Sequence, residues 1–88
     1  MPERRVKVAS KVGLHARPAA LVAKAAATQP VAVSIAKDGG TPVPAGSVLS
    51  LMTLGAAHGD EVVITAEGEG AEAAIDAVAE LIESDLDA

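Results

Sequence analysis

The sequence has no phenylalanine, tyrosine or tryptophan, and no cysteine. Without aromatic rings it lacks the platform on which single-stranded nucleic acids stack their bases. Its core must be built from Val, Ile, Leu, Met and many Ala. Without cysteine there is no disulfide framework, no thiolate zinc site and no cysteine nucleophile. No apolar run approaches the length of a membrane span, and "MPERRVKV" lacks the apolar stretch of a signal peptide. The cytoplasm is therefore the expected compartment, with no membrane insertion. The 88 residues are expected to form one domain, residues 1–88, small enough to need an efficient core. Half of them are hydrophobic, as in a folded chain rather than a disordered one.

The net charge of −5 argues against a general nucleic-acid binder. Its distribution says more than its sum. All seven basic residues lie between Arg4 and Lys37, and every acidic residue except Glu3 lies from Asp38 onward. The plain reading is two solvated faces. The sharper one is a locally basic surface that docks an acidic or phosphorylated partner.

"RRVKVAS" alternates, with Val6 and Val8 on one face and Arg5 and Lys7 on the other, and predicts a half-buried strand. Gly13 breaks it. From Ala16 to about Ala27 the run is alanine-rich and predicts a helix, with Pro18 in the first turn and Lys24 late, where a cation suits the dipole. "PVAVSIAKDGG" is a second strand, with Val31, Val33 and Ile35 facing one way and a turn at Asp38-Gly39-Gly40. "TPVPA" returns as an edge strand or nearly irregular segment, because prolines cannot sit in mid-sheet. "GSVLSLMTLG" predicts a short helix with Ser47 as N-cap and Gly55 as stop. "DEVVITAEGEG" is a further strand, with Val62, Ile64 and Ala66 inward. The last helix spans about Ala71 to Leu86, with Ile75, Val78, Ile82 and Leu86 as its apolar stripe and Glu72, Asp76, Glu80 and Glu83 opposite. The order β-α-β-β-α-β-α fits an α+β architecture, helices on one face of an antiparallel sheet.

On this map His15 falls at the start of the first helix. The opening N–H groups of a helix lack intrahelical acceptors, and with the macrodipole they form an anion site. Here the backbone of Ala16 and Arg17 supplies them. The Arg17 guanidinium adds a fork of donors suited to phosphate oxygens. The dipole favours the neutral imidazole, which leaves a nucleophilic ring nitrogen. A phosphoryl group placed on that ring would be held by the same helix end. The plain alternative is a capping histidine in an anion-binding structural domain. A metal site has little support, since the other histidine, His58, stands alone in "AAHGDE", read as an exposed turn. No cofactor is called for.

"GLHARPAA" resembles the active-site motif of HPr, the histidine-containing phosphocarrier family of the bacterial phosphotransferase system. "AGSVLSLMTLGAAHGDEVVITAEGEG" resembles the same family's second signature region, so the likeness covers nearly the whole chain. It implies an open-faced β-sandwich with a four-stranded antiparallel sheet of order 1-4-2-3 and three helices on one face. It implies that His15 accepts a phosphoryl group on Nδ1 from phospho-enzyme I and passes it to sugar-specific IIA domains, with Arg17 as the active-site arginine. The protein is then a covalent carrier and co-substrate, not itself an enzyme, and a monomer. Ser47 matches the serine that a kinase modifies in many Gram-positive members to control carbon catabolite repression. The chain departs from the commoner pattern at Gly46, where a basic residue is frequent, and at Pro42 and Pro44.

Ser47 needs no role beyond its cap. As a phosphosite it would place negative charge on the docking surface. In the helix it opens, Leu51 and Leu54 can face the sheet, leaving Val48, Leu49 and Met52 as an exposed patch that, with Lys24, docks partners. The alternative is that all are core. A regulatory paralogue or interaction module, engaging a serine kinase/phosphorylase or a transcriptional regulator, is the competing function.

Overall fold

Alternation of apolar and charged residues builds the sheet from both ends of the chain. The computed structural model describes residues 3–9, 13 and 16–84; Lys11, His15 and Leu86 lie outside the described residues. Strand β1 (Glu3–Lys7) is followed by helix α1 (Ala16–Ala27), strands β2 (Val33–Lys37) and β3 (Val43–Pro44), helix α2 (Val48–Thr53), strand β4 (Glu61–Ala66) and helix α3 (Ala71–Glu83). The sheet order is β1-β4-β2-β3, antiparallel throughout. β4 thus enters between β1 and β2, a split β-α-β unit.

One face of this sheet is apolar. Val6, Val8, Val33, Ile35, Val62, Ile64 and Ala66 are buried against Ala19, Val22, Ala23 and Ala26 of α1, Leu51 of α2, and Ala74, Ile75, Val78 and Ile82 of α3. The opposite face is open. There Arg5, Val63 and Ala36 form one cross-strand row. Arg5 reaches across β4 to Asp38 at 2.9 Å and Glu61 at 3.0 Å.

The elements differ from the sequence expectation mainly at their ends. Val31 precedes β2 and packs on the core half-buried. α3 stops at Glu83 rather than running to Leu86, and Ser84 is extended. No basic residue lies in its last turn, so no cation of its own complements the negative end of the dipole.

β3 is two residues long for a physical reason. The Ala45 N–H donates inward to the Val33 carbonyl at 2.9 Å. Strand alternation turns positions 44 and 42 outward, and both are prolines with no N–H to leave unpaired. Ser47 caps α2, its hydroxyl accepting from the Ser50 N–H at 3.2 Å. Gly55, at φ +74°, ends the turn that follows.

Because β1 and β2 both run antiparallel to β4, their C-terminal ends meet its N-terminal end. Lys7 pairs with Glu61 and Lys37 with Val62. The β1–α1 connection and the loop before β4 therefore share one end of the sheet. They touch at Gly13, which is buried at φ +72°. A Cβ there would lie 2.5 Å from the Ala56 carbonyl oxygen and 3.0 Å from the Ala57 Cα.

Gly13→Ala combines a left-handed backbone with a clash against main chain. It should destabilise the fold by about 2 kcal/mol or more, read as a lowered denaturation midpoint by circular dichroism. Leu51 is fully buried and is the apolar anchor of α2. Leu51→Ala should lower stability by about 2–5 kcal/mol in the same assay, with hydrogen exchange rising first in α2.

Candidate functional site

The first turn of α1 is Ala16-Arg17-Pro18. Neither Ala16 nor Arg17 can find an intrahelical acceptor for its N–H, and Pro18 has none to offer. Pro18 is fully buried, whereas Ala16 and Arg17 are exposed. The turn is thus anchored by its proline, beside two exposed residues whose N–H groups have no acceptor within the helix. No acidic residue lies in it, so the turn itself supplies no charge to neutralise the positive end of the dipole.

The charges sort themselves on folding. Arg4 binds Asp76 at 3.2 Å and Glu83 at 2.6 Å, tying β1 to α3. Arg5 is held by Asp38 and Glu61, which keep its guanidinium above its ordinary pKa, the Asp38 hydrogen bond first. Lys37 lies 3.5 Å from Asp60. Three of the seven basic residues are therefore held in ion pairs with the acidic remainder of the chain. Among the described residues, Arg17 and Lys24 on α1, and Lys7, make no ion pair. Two of these three cations, Arg17 and Lys24, stand on the helix that follows His15 in the chain.

Arg17, Leu21 and Lys24 follow helical spacing along one exposed side of α1. Leu21 is 42% exposed, a residue the sequence analysis left unassigned. The signal was its place four residues after Arg17 and three before Lys24, on the side away from Ala19 and Ala26. α1 packs against α2, where Val48, Leu49 and Met52 are exposed, Leu49 at 72%. Leu51 and Leu54 turn to the core, as their spacing predicts.

The loop between α2 and β4 supports the connection that carries His15. Gly13 packs on Ala56 and Ala57. His58 is exposed at the loop's tip. The Asp60 carboxylate accepts the Ala57 N–H at 2.9 Å. That bond first, and the Lys37 charge after it, hold Asp60 below the usual carboxylate range.

A family model described as the PTS HPr component phosphorylation site matches residues 2–84. The phosphocarrier protein HPr of Streptomyces coelicolor is 47% identical over 87 residues, 99% of this chain and 94% of that one. The HPr-like protein Crh of Bacillus subtilis is 36% identical over 86 residues, covering 98% and 100%. Among solved structures, HPr-C-His from Thermoanaerobacter tengcongensis superposes with a TM-score of 0.87 at 40% identity, covering 96% of this chain and 93% of that one. An HPr dimer from the same organism gives 0.70 at 40% identity, covering 94% of each. Sequence and sheet order lead to one assignment along almost the full length: the chain belongs to the HPr phosphocarrier family.

Proposed function

We propose that this protein carries a phosphoryl group on His15 between phospho-enzyme I and sugar-specific IIA domains, as a cytoplasmic monomer and a co-substrate rather than an enzyme. One observation carries the reading. The helix end that directly follows His15 in the chain offers two N–H donors, an exposed Arg17 guanidinium that makes no ion pair among the described residues, and no acidic residue in its first turn. A ring nitrogen of His15 attacks the phosphorus of the donor's phosphohistidine. The old P–N bond breaks as the new one forms, and its electron pair stays with the donor imidazole. Charge on the transferred oxygens is met by the Ala16 and Arg17 N–H groups and by the guanidinium. Transfer onward is the same step reversed on a new partner.

The partner surface is the apolar set Val48, Leu49 and Met52, with Leu21 added, beside the Lys24 cation. Such a surface suits brief contact with several acidic-rimmed partners. Ser47 stands at its edge. Its hydroxyl accepts from the Ser50 N–H, leaving its own proton replaceable. A phosphate there would weaken docking by charge while leaving the helix capped; a serine kinase/phosphorylase would set it. The relatives named Crh favour a second reading, a regulatory module that engages a transcriptional regulator.

Incubation with enzyme I and labelled phosphoenolpyruvate decides between them. Wild type should take up acid-labile, base-stable label, and His15→Ala none. An unlabelled wild type beside a competent enzyme I, or a labelled His15→Ala, overturns carriage. Ser47→Asp should slow transfer from phospho-enzyme I by about tenfold, mainly through affinity; equal rates and equal affinity remove Ser47 from regulation.

A further inference from the structure

"GAAHGD", residues 55–60, is a poor sequence for a rigid loop. It has two glycines with positive φ, at +74° and +85°, and Ala56 as its sole buried side chain. Its order comes from hydrogen bonds. The Gly59 N–H donates to the Val8 carbonyl at 2.9 Å, and the Val8 N–H donates to the Asp60 carbonyl at 3.0 Å. Asp60 then closes the turn twice. Its N–H donates to the Ala57 carbonyl at 3.0 Å, while its carboxylate accepts the Ala57 N–H at 2.9 Å. The Lys37 ammonium lies 3.5 Å from the same carboxylate oxygen and donates to the Gly55 carbonyl at 3.4 Å. Lys37 thus joins the start of the loop to its end, and the Asp60 side chain joins that end to the middle.

That side chain is 39% exposed, too open to serve as core. What it immobilises is the main chain at Ala56 and Ala57, where Gly13 makes its close contact. The loop holds the entering segment twice, at Val8 and at Gly13. Gly13 lies two residues before His15 and three before α1 begins.

We propose that Asp60 is a positioning residue for phosphoryl transfer, fixing the 55–60 turn as the seat of Gly13 and thereby the placement of His15 on the end of α1. The inference rests on the carrier reading of His15. Asp60 touches no transferred group and acts only through backbone. Small displacements of a reacting atom cost rate steeply, so loosening the seat should be felt in transfer before it is felt in the fold.

The test compares wild type with Asp60→Ala, which loses the hydrogen bond and the charge, and Asp60→Asn, which keeps an acceptor. Asp76→Ala, which removes an exposed ion-pair carboxylate at α3, is the control. Because the chain has two histidines, His58→Gln assigns the His15 imidazole resonances outright. Asp60→Ala should shift the His15 ring resonances and their titration midpoint while circular dichroism stays that of a folded protein. It should cut kcat/KM for transfer from phospho-enzyme I by about tenfold, mostly in kcat. Asp60→Asn should recover most of the loss, and Asp76→Ala should match wild type. A folded Asp60→Ala with wild-type His15 resonances and wild-type transfer overturns the proposal, as does an equal loss in Asp76→Ala. If Asp60→Ala does not fold, Asp60→Glu, whose extra methylene moves the carboxylate off the Ala57 N–H, is read instead: shifted His15 resonances and slowed transfer support the proposal, and wild-type values of both overturn it. An unlabelled wild type defeats the carrier reading alone, since the imidazole resonances still report the placement of His15.

Discussion

A core without aromatic rings closes only when backbone comes near backbone. Nearly half of the buried hydrophobic residues here are alanines, and the largest fully buried side chains are Ile and Leu. Side chains this short fill space at protein density only if helix lies close on sheet and loop close on loop. The contact of Gly13 with Ala56 is the extreme case, with room for a hydrogen and nothing more. The split β-α-β order brings those two segments to one end of the sheet. The absence of a side chain lets them touch there, and α1 starts three residues later.

Folding also redistributes charge. A sequence that looks basic at one end and acidic at the other becomes a molecule in which Arg4, Arg5 and Lys37 are bound by carboxylates from the acidic part of the chain. Arg4 and Arg5 fasten β1, the strand nearest the chain's beginning, to α3 and to the open sheet face. Among the described residues the cations left over are Arg17 and Lys24 on α1 and Lys7 on β1. The local field at the helix start is therefore set by a few groups, Arg17 and two amides without intrahelical acceptors, rather than by net charge, which has the opposite sign.

Much of this was legible from residue order. Period-two runs located β1, β2 and β4. Alanine, Pro18 and Lys24 located α1, and Ser47 with Gly55 bracketed α2, because these signals act within a few residues of themselves. The exposure of Val48, Leu49 and Met52 followed from helical spacing once Leu51 was assigned inward. What sequence reasoning missed was long-range. Nothing near Gly13 says that its neighbour is Ala56, and nothing near Asp60 names Lys37, since both contacts depend on strand order. Leu21 went unassigned because its exposure depends on how α1 rolls against α2 and α3. The α3 terminus was overrun because Leu86 continues the apolar period beyond the last helical residue.

The prolines of β3 have a meaning beyond the fold itself. A four-stranded sheet with one bare face has two rims, and each is a template onto which a stray strand could add its own main chain. On the outer rim the positions that would offer N–H groups are Pro42 and Pro44, and the strand lasts two residues. A foreign segment arriving there finds too short a ladder with its donors removed. The opposite rim, β1, presents Glu3, Arg5 and Lys7, charges that a hydrophobic strand cannot accept beside it. The same sequence that leaves one face of the sheet uncovered thus withholds from aggregation the two edges by which such a sheet would grow.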